Sequence, residues 1–268
     1  MIYIYIVTGL NKRIARAVIA LSIVLFALVL LYLVFYAPTA LVGESNLYTN
    51  NWSGYAAVSS STAFDSISAS WTVPEVASAP VPGYSAVWIG IGGFLERSNR
   101  LIQAGTEQDV RSDGSKDYYA WFESLPRPAV NVGRVSPGDL INVRFNKVGD
   151  TQSTWHVILS RESKGIITTL VDDDIVIRTN SASTRSAEFI VEAPTAVSGH
   201  TVSQLLPLAD FGTVTFTHCT TNLGGLGSST NLYRLTITND GTKDGTTLAS
   251  PSALSGDGFT VNSLGPSH

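Results

Sequence analysis

The run S-A-E-F-I-V-E, Ser186–Glu192, decides how the chain is read. Successive side chains of a strand point to opposite faces, so Ala187, Phe189 and Val191 share one side and Glu188, Ile190 and Glu192 the other. The first side is apolar and belongs in a core. Comparable short runs with period-two alternation recur on both sides of it: Gly54–Ser59, Ser66–Thr72, Ala86–Ile91, Leu101–Glu107, Asp117–Glu123 and Leu140–Asn146. Further along come Trp155–Ser160, Gly165–Thr169, Val214–Cys219 and Asn231–Thr238. Turn signals divide them, most clearly Asp113-Gly114, Pro137-Gly138-Asp139, Gly149-Asp150 and Asp240-Gly241. No helical stripe of three turns follows residue 45. Strands of this number and spacing predict an all-β fold, an antiparallel double-sheet β-sandwich.

The N-terminal part does not belong to that pattern. Ala17–Tyr36 runs AVIALSIVLFALVLLYLVFY without a charge. At ~1.5 Å per residue a helix of this length crosses a hydrocarbon core of about 30 Å. Lys12, Arg13 and Arg16 precede it, and no Lys or Arg follows until Arg97, so the N-terminus is expected inside and the remainder outside. The run is longer than the ~7–15 residues of a signal-peptide core, which favours an uncleaved anchor. Ala37-Pro-Thr-Ala40 nonetheless offers small residues where cleavage would release a secreted form. The expected organisation is a basic cytoplasmic stretch 1–16, a transmembrane or signal-anchor helix 17–36, a linker 37–50 and one β-sandwich domain 51–268. The localisation that follows is the cell membrane, single-pass, with the domain outside.

Composition narrows the function. The 17 Lys+Arg and 21 Asp+Glu are unevenly placed: the first 43 residues carry three of the basic ones and no acidic one, leaving the rest at −7. No basic patch is present, so nucleic acid is not an expected partner. Cys219 is the only cysteine, which rules out an internal disulfide. Its neighbour His218 points to the opposite face of a strand, so the two do not form a nucleophile–base pair, and a buried, inert thiol is the expectation. Four His and no HExxH or CxxC spacing leave no recognisable metal site; neither a metal nor a cofactor is expected. A monomer is expected.

Three further stretches carry chemistry. In Leu101–Glu107, Leu101, Gln103, Gly105 and Glu107 share a face, and Gly105 in a strand interior marks a bulge or a close approach. In Trp88–Gly93, Trp88, Gly90 and Gly92 lie together, a ring beside bare glycines on which an extended substrate can rest. Tyr119, Trp121 and Glu123 share a face of the next run. A face of aromatics, Gly, Gln and Glu resembles a substrate groove. On pattern alone, however, Glu188 and Glu192 also read as an ordinary solvated face, where most glutamates lie.

These stretches resemble the glutamic peptidases, the eqolisin family formerly grouped as A4 acid proteases. The resemblance rests on N-W-S-G-Y (Asn51–Tyr55), F-D-S-I-S-A-S-W-T-V-P (Phe64–Pro74), W-I-G-I-G-G (Trp88–Gly93), L-I-Q-A-G (Leu101–Gly105) and Y-A-W-F-E (Tyr119–Glu123). It continues through V-S-P-G-D (Val135–Asp139), A-E-F-I-V-E (Ala187–Glu192), F-T-H-C (Phe216–Cys219) and P-S-A-L-S-G-D-G-F-T-V (Pro251–Val261), an ending seen in non-fungal members. It implies two packed, mostly seven-stranded, concanavalin-like sheets with a groove on the concave face of one. It implies a catalytic Glu192 with partner Gln103, and Trp88 and Glu123 at the groove; Trp121 and Glu188, which share those strand faces, are expected to line it too. Where well-known members carry aspartates, this chain has Gly92, Glu107 and Tyr119. The implied activity is hydrolysis of polypeptides by activated water. Glu192 takes a proton from water and returns it to the leaving amine, and the Gln103 amide binds the oxyanion and orients the water. An unperturbed Glu, near pKa 4.3, would favour acidic pH. Three rivals remain open: a carbohydrate-binding sandwich, a glycoside hydrolase built on Glu123 and Glu192, and an inactive peptidase homologue.

Overall fold

The computed structural model describes residues 43–94, 101–149, 154–176, 184–198, 201–229 and 231–265. The apolar run 17–36 lies outside them; among the described residues no helix is long and apolar enough to cross a membrane. All eleven expected strands are present, several longer than expected. In chain order the first nine strands are β1 Gly43–Thr49, β2 Trp52–Val58, β3 Ser66–Thr72, β4 Gly83–Ile91, β5 Ile102–Val110, β6 Lys116–Ser124, β7 Val130–Arg134, β8 Leu140–Lys147 and β9 Thr154–Ser163. There follow β10 Ile166–Val176, β11 Ser186–Glu192, β12 Thr195–Ser198, β13 Thr201–Leu205, β14 Thr213–Thr221, β15 Gly224–Gly225, β16 Asn231–Thr238, β17 Thr247–Pro251 and β18 Phe259–Ser263.

The expected pair of separate sheets is corrected in one respect. Hydrogen bonds join the strands into a single ladder, β10-β9-β8-β3-β14-β18-β17-β16-β2-β11-β4-β5-β6-β7, with β12 and β13 forming a small hairpin of their own. The ladder folds back on itself, bringing β3 against β4, β11 against β14 and β10 against β7. The link is the short pair β17–β18, too brief to stand out as strands in the sequence. Among the described strands all pairings are antiparallel except β1 with β16, which run parallel from Gly43↔Asn231 to Thr49↔Ile237; an isolated parallel bridge also joins Tyr84 and Leu208. Residues from Gly43 onward, assigned by sequence to the linker 37–50, therefore belong to the sheet.

Alternation explains the layering. Tyr55 and Ala57 of β2, Val87, Ile89 and Ile91 of β4, Ile102 and Ala104 of β5, and Phe189 and Val191 of β11 all face one core with Trp71, Phe145, Trp155 and Phe216. Burying each large apolar side chain stabilises the fold by roughly 1.5–3 kcal/mol. One polar tie crosses this core: the Trp71 indole N–H donates to Thr106 Oγ1 at 3.1 Å. A satisfied donor there avoids the cost of an orphaned buried N–H. Cys219 is buried in the same core, which pushes its thiol far above the ordinary range. His218, at φ 54 in a bulge of β14, is exposed; the bulge shifts the alternation, so Cys219 rather than His218 joins Val214 and Phe216 in the core, and the two side chains still part.

Candidate active site

The opposite face of β2-β11-β4-β5-β6 carries the candidate residues, and strand register arranges them in rows. One row runs Trp52, Glu192, Ala86, Glu107, Tyr119. The next runs Gly54, Ile190, Trp88, Gly105, Trp121, and the third Ala56, Glu188, Gly90, Gln103, Glu123. Glu192 and Gln103 therefore stand two strands apart on one floor, with Trp88 on the strand between them. A second apolar cluster surrounds this floor, including Trp88, Trp121, Ile190, Phe94 and Leu101 with Trp52 and Tyr119 beside them.

Glycines make the floor possible. A Cβ on Gly105 would sit 2.1 Å from the Val87 carbonyl oxygen and 2.6 Å from Trp88 Cβ. The close approach expected of Gly105 is thus made by β4 and its tryptophan. A Cβ on Gly90 would sit 3.1 Å from Gln103 Cβ and 2.7 Å from the Ile102 carbonyl oxygen, so Gly90 leaves Gln103 room to lie across the sheet. Gly92, at φ 88, ends β4 and donates its N–H to the Ser186 carbonyl at 3.1 Å; it contributes backbone only.

Glu192 is gripped by donors. The Trp88 indole N–H reaches Oε2 at 2.7 Å, and the Asn51 amide reaches Oε1 at 3.4 Å. Trp52 packs edge-on against Trp88, with centroids 5.0 Å apart and planes at 77°. It brings a second indole N–H toward the same carboxylate without closing a bond of standard geometry. The carboxyl lies in a protein-walled recess with partial access to water. Burial pushes its pKa up to about 7; the Glu123 charge adds to the rise, while Trp52, Trp88 and Asn51 oppose it. The value expected of an unperturbed glutamate is thereby corrected.

Gln103 is buried, 7% exposed, and its Nε2 donates to Glu123 Oε2 at 2.6 Å. Its carbonyl oxygen is buried and has no hydrogen-bond partner among the described residues. The Trp121 indole N–H is in the same condition. Buried polar atoms left open in this way are rare and mark places where a ligand or water completes the site. Glu123 is raised by burial, partly relieved by Gln103 and the Ala129 N–H. The reading of Glu188 and Glu192 as a solvated face is overturned: Glu188 is fully buried.

Sequence reasoning missed Asn51 and Trp52 as site residues, although N-W-S-G-Y was singled out as a motif. It also missed Asp109. Glu107 lies beside Tyr119 and is 9% exposed, as is Asp109 two residues on. Burial raises Glu107 well above the carboxylate range, with the charges of Asp109 and Glu192 adding to the rise. Asp109 rises to about 6, chiefly through burial and against the hydrogen bond from Glu107. The Tyr119 hydroxyl is raised by burial and by the Glu107 charge.

Comparison with known proteins matches the chain to one family. The model of the Peptidase A4 family covers residues 50–263. Aspergillopepsin-2 of Aspergillus niger is 28% identical over 238 residues, spanning 80% of this chain and 77% of that protein. Scytalido-glutamic peptidase with a transition-state analogue inhibitor shares the fold at a TM-score of 0.62 and 20% identity, over 80% of this chain and 98% of that one. SCP-B, an eqolisin-family peptidase in complex with the tripeptide Ala-Ile-His, does so at 0.57 and 21%, over the same shares. With the family model spanning most of its length and the fold matching solved members, this chain belongs to the Peptidase A4 family.

Proposed function

We propose that the protein is an acid endopeptidase in which Glu192 and Gln103 activate water against a peptide bond, without a covalent intermediate. The observation that carries this reading is the pairing of a donor-held, elevated Glu192 carboxyl with an open, buried Gln103 carbonyl oxygen on one floor. A base must have a pKa matched to its working pH and be fixed in place; burial raises Glu192 and the Trp88 bond holds it. Water held between the Glu192 carboxylate and the Gln103 oxygen gives its proton to Glu192 as it attacks the carbonyl carbon. The Gln103 N–H that is not given to Glu123 meets the developing oxyanion, and Glu192 returns the proton to the leaving nitrogen. Glu123 orients Gln103 through the 2.6 Å bond. Trp88, Trp121 and Tyr119 line the groove, with Glu107 and Glu188 beneath it and Gly92 at the end of β4.

The substrates are polypeptides met outside the cell, and the protein acts as a monomer tethered by residues 17–36, or free if that run is cleaved. The charge placement around the run and its length support the tether. The test incubates purified protein with a denatured protein and with neutral and acidic polysaccharides across pH 2–8. Peptide cleavage resistant to inhibitors built for paired aspartates is the expected result. Polysaccharide cleavage, or binding with no cleavage of either, would replace this reading with a rival.

A further inference from the structure

The grip on Glu192 is assembled by a turn at the end of β1, and its geometry centres on one hydroxyl. Thr49 Oγ1 donates to the Trp52 carbonyl at 2.8 Å and accepts the Trp52 N–H at 2.8 Å and the Asn51 N–H at 3.3 Å. Three backbone groups of the turn thus converge on one side chain. From that turn Asn51 reaches Glu192 and Trp52 packs on Trp88. The Asn51 carbonyl accepts the Ala193 N–H at 2.8 Å, tying the turn to the residue after Glu192. Thr49 itself is held in register opposite Ile237, as the last pair of the parallel β1–β16 ladder.

We propose that Thr49 is a positioning residue for the reaction, holding Asn51 in place as a donor to the Glu192 carboxylate and Trp52 in place against the donor Trp88. It touches neither substrate nor Glu192 and acts through the turn. The inference rests on Glu192 being the working base. The groups facing Glu192 are Asn51 and Trp52 from the turn, Trp88 and Ala86 from β4, Glu107 from β5 and Glu123 from β6. The donors favour the ionised carboxylate and the Glu123 charge opposes it. Losing the order of Asn51, and of Trp52 packed behind the donor Trp88, therefore makes Glu192 harder to ionise. β1 acquires a role beyond packing, because whatever loosens this strand also changes the protonation of the base.

The test is the pH profile of kcat/KM for the full-length chain and for Thr49→Val, Thr49→Ala and Thr49→Ser. Valine keeps the shape and removes the hydroxyl, alanine covers the case in which valine fails to fold, and serine keeps the hydroxyl. The acid limb is expected to move to higher pH by about one unit in T49V and T49A, the scale of a lost hydrogen bond to a charged group. In T49S it is expected to stay with the parent. A purely structural role would lower yield and melting temperature while leaving the limb in place. An unmoved limb in T49V and T49A, or a T49S limb displaced as far as theirs, would overturn the proposal. An active Glu192→Gln enzyme would instead overturn the assignment of the base, so the two failures are distinguishable.

Discussion

Replacing Glu192 with Gln should stabilise the protein at pH 8 and leave its stability unchanged at pH 4. The carboxyl moves from an ordinary value of 4.5 to about 7 on folding, mainly through burial. The native state then holds a proton that the unfolded chain has released, so stability falls as pH rises through this window. Below pH 4.5 both states are protonated and nothing is lost; above pH 7 the full cost is present. At 1.36 kcal/mol per pH unit the shift is worth about 3 kcal/mol, and partial access to water reduces that to about 1–2 kcal/mol. That is a sizeable part of the 5–15 kcal/mol typical of a domain. Glutamine keeps the shape and an acceptor for the Trp88 N–H but has no charge to bury. Urea unfolding of parent and E192Q at pH 4, 6 and 8 measures the difference. A parent-minus-variant difference that is the same at pH 4 and pH 8 would refute the reasoning, because Glu192 would then titrate alike folded and unfolded.

Other consequences are equally direct. Gly105→Ala should cost about 1–3 kcal/mol, since its methyl meets the Val87 carbonyl and Trp88, and should depress kcat by displacing Trp88; melting curves and kinetics check both effects. Glu123→Gln should move the acid limb of kcat/KM to lower pH, because the Glu123 charge raises Glu192, and should lower kcat by weakening the hold on Gln103. In the parent, burial raises Glu192 above an ordinary carboxylate, so the acid limb of kcat/KM should lie above pH 4.5 and activity should peak at weakly acidic pH; a limb near pH 4 would contradict the burial-driven shift.

The strands that build the site were legible because each carries an unbroken alternation. Ser186–Glu192 and Ser66–Thr72 coincide with β11 and β3 to the residue. Burial of the second face was not legible. All nine residues of β5 are buried, so Gln103, Glu107 and Asp109 are enclosed on a strand whose polar residues suggest solvent. Alternation tells which residues share a face, and what covers that face depends on strands far away in sequence. Asn51 and Trp52 were hidden for a related reason. Their approach to Glu192 depends on the β1 turn, and Gly43–Thr49 has no alternation that marks it as a strand. The continuous ladder was missed because β17 and β18, five residues each, carry its connection.

The measurement that bears most directly on the account is kcat/KM for peptide hydrolysis by the parent, Glu192→Gln and Gln103→Ala between pH 2 and pH 8. E192Q is expected to lose at least about 10³-fold while remaining folded, and Q103A about 10²–10³-fold, the usual cost of removing an oxyanion donor. Turnover by E192Q within tenfold of the parent at any pH would contradict the assignment of Glu192 as the base.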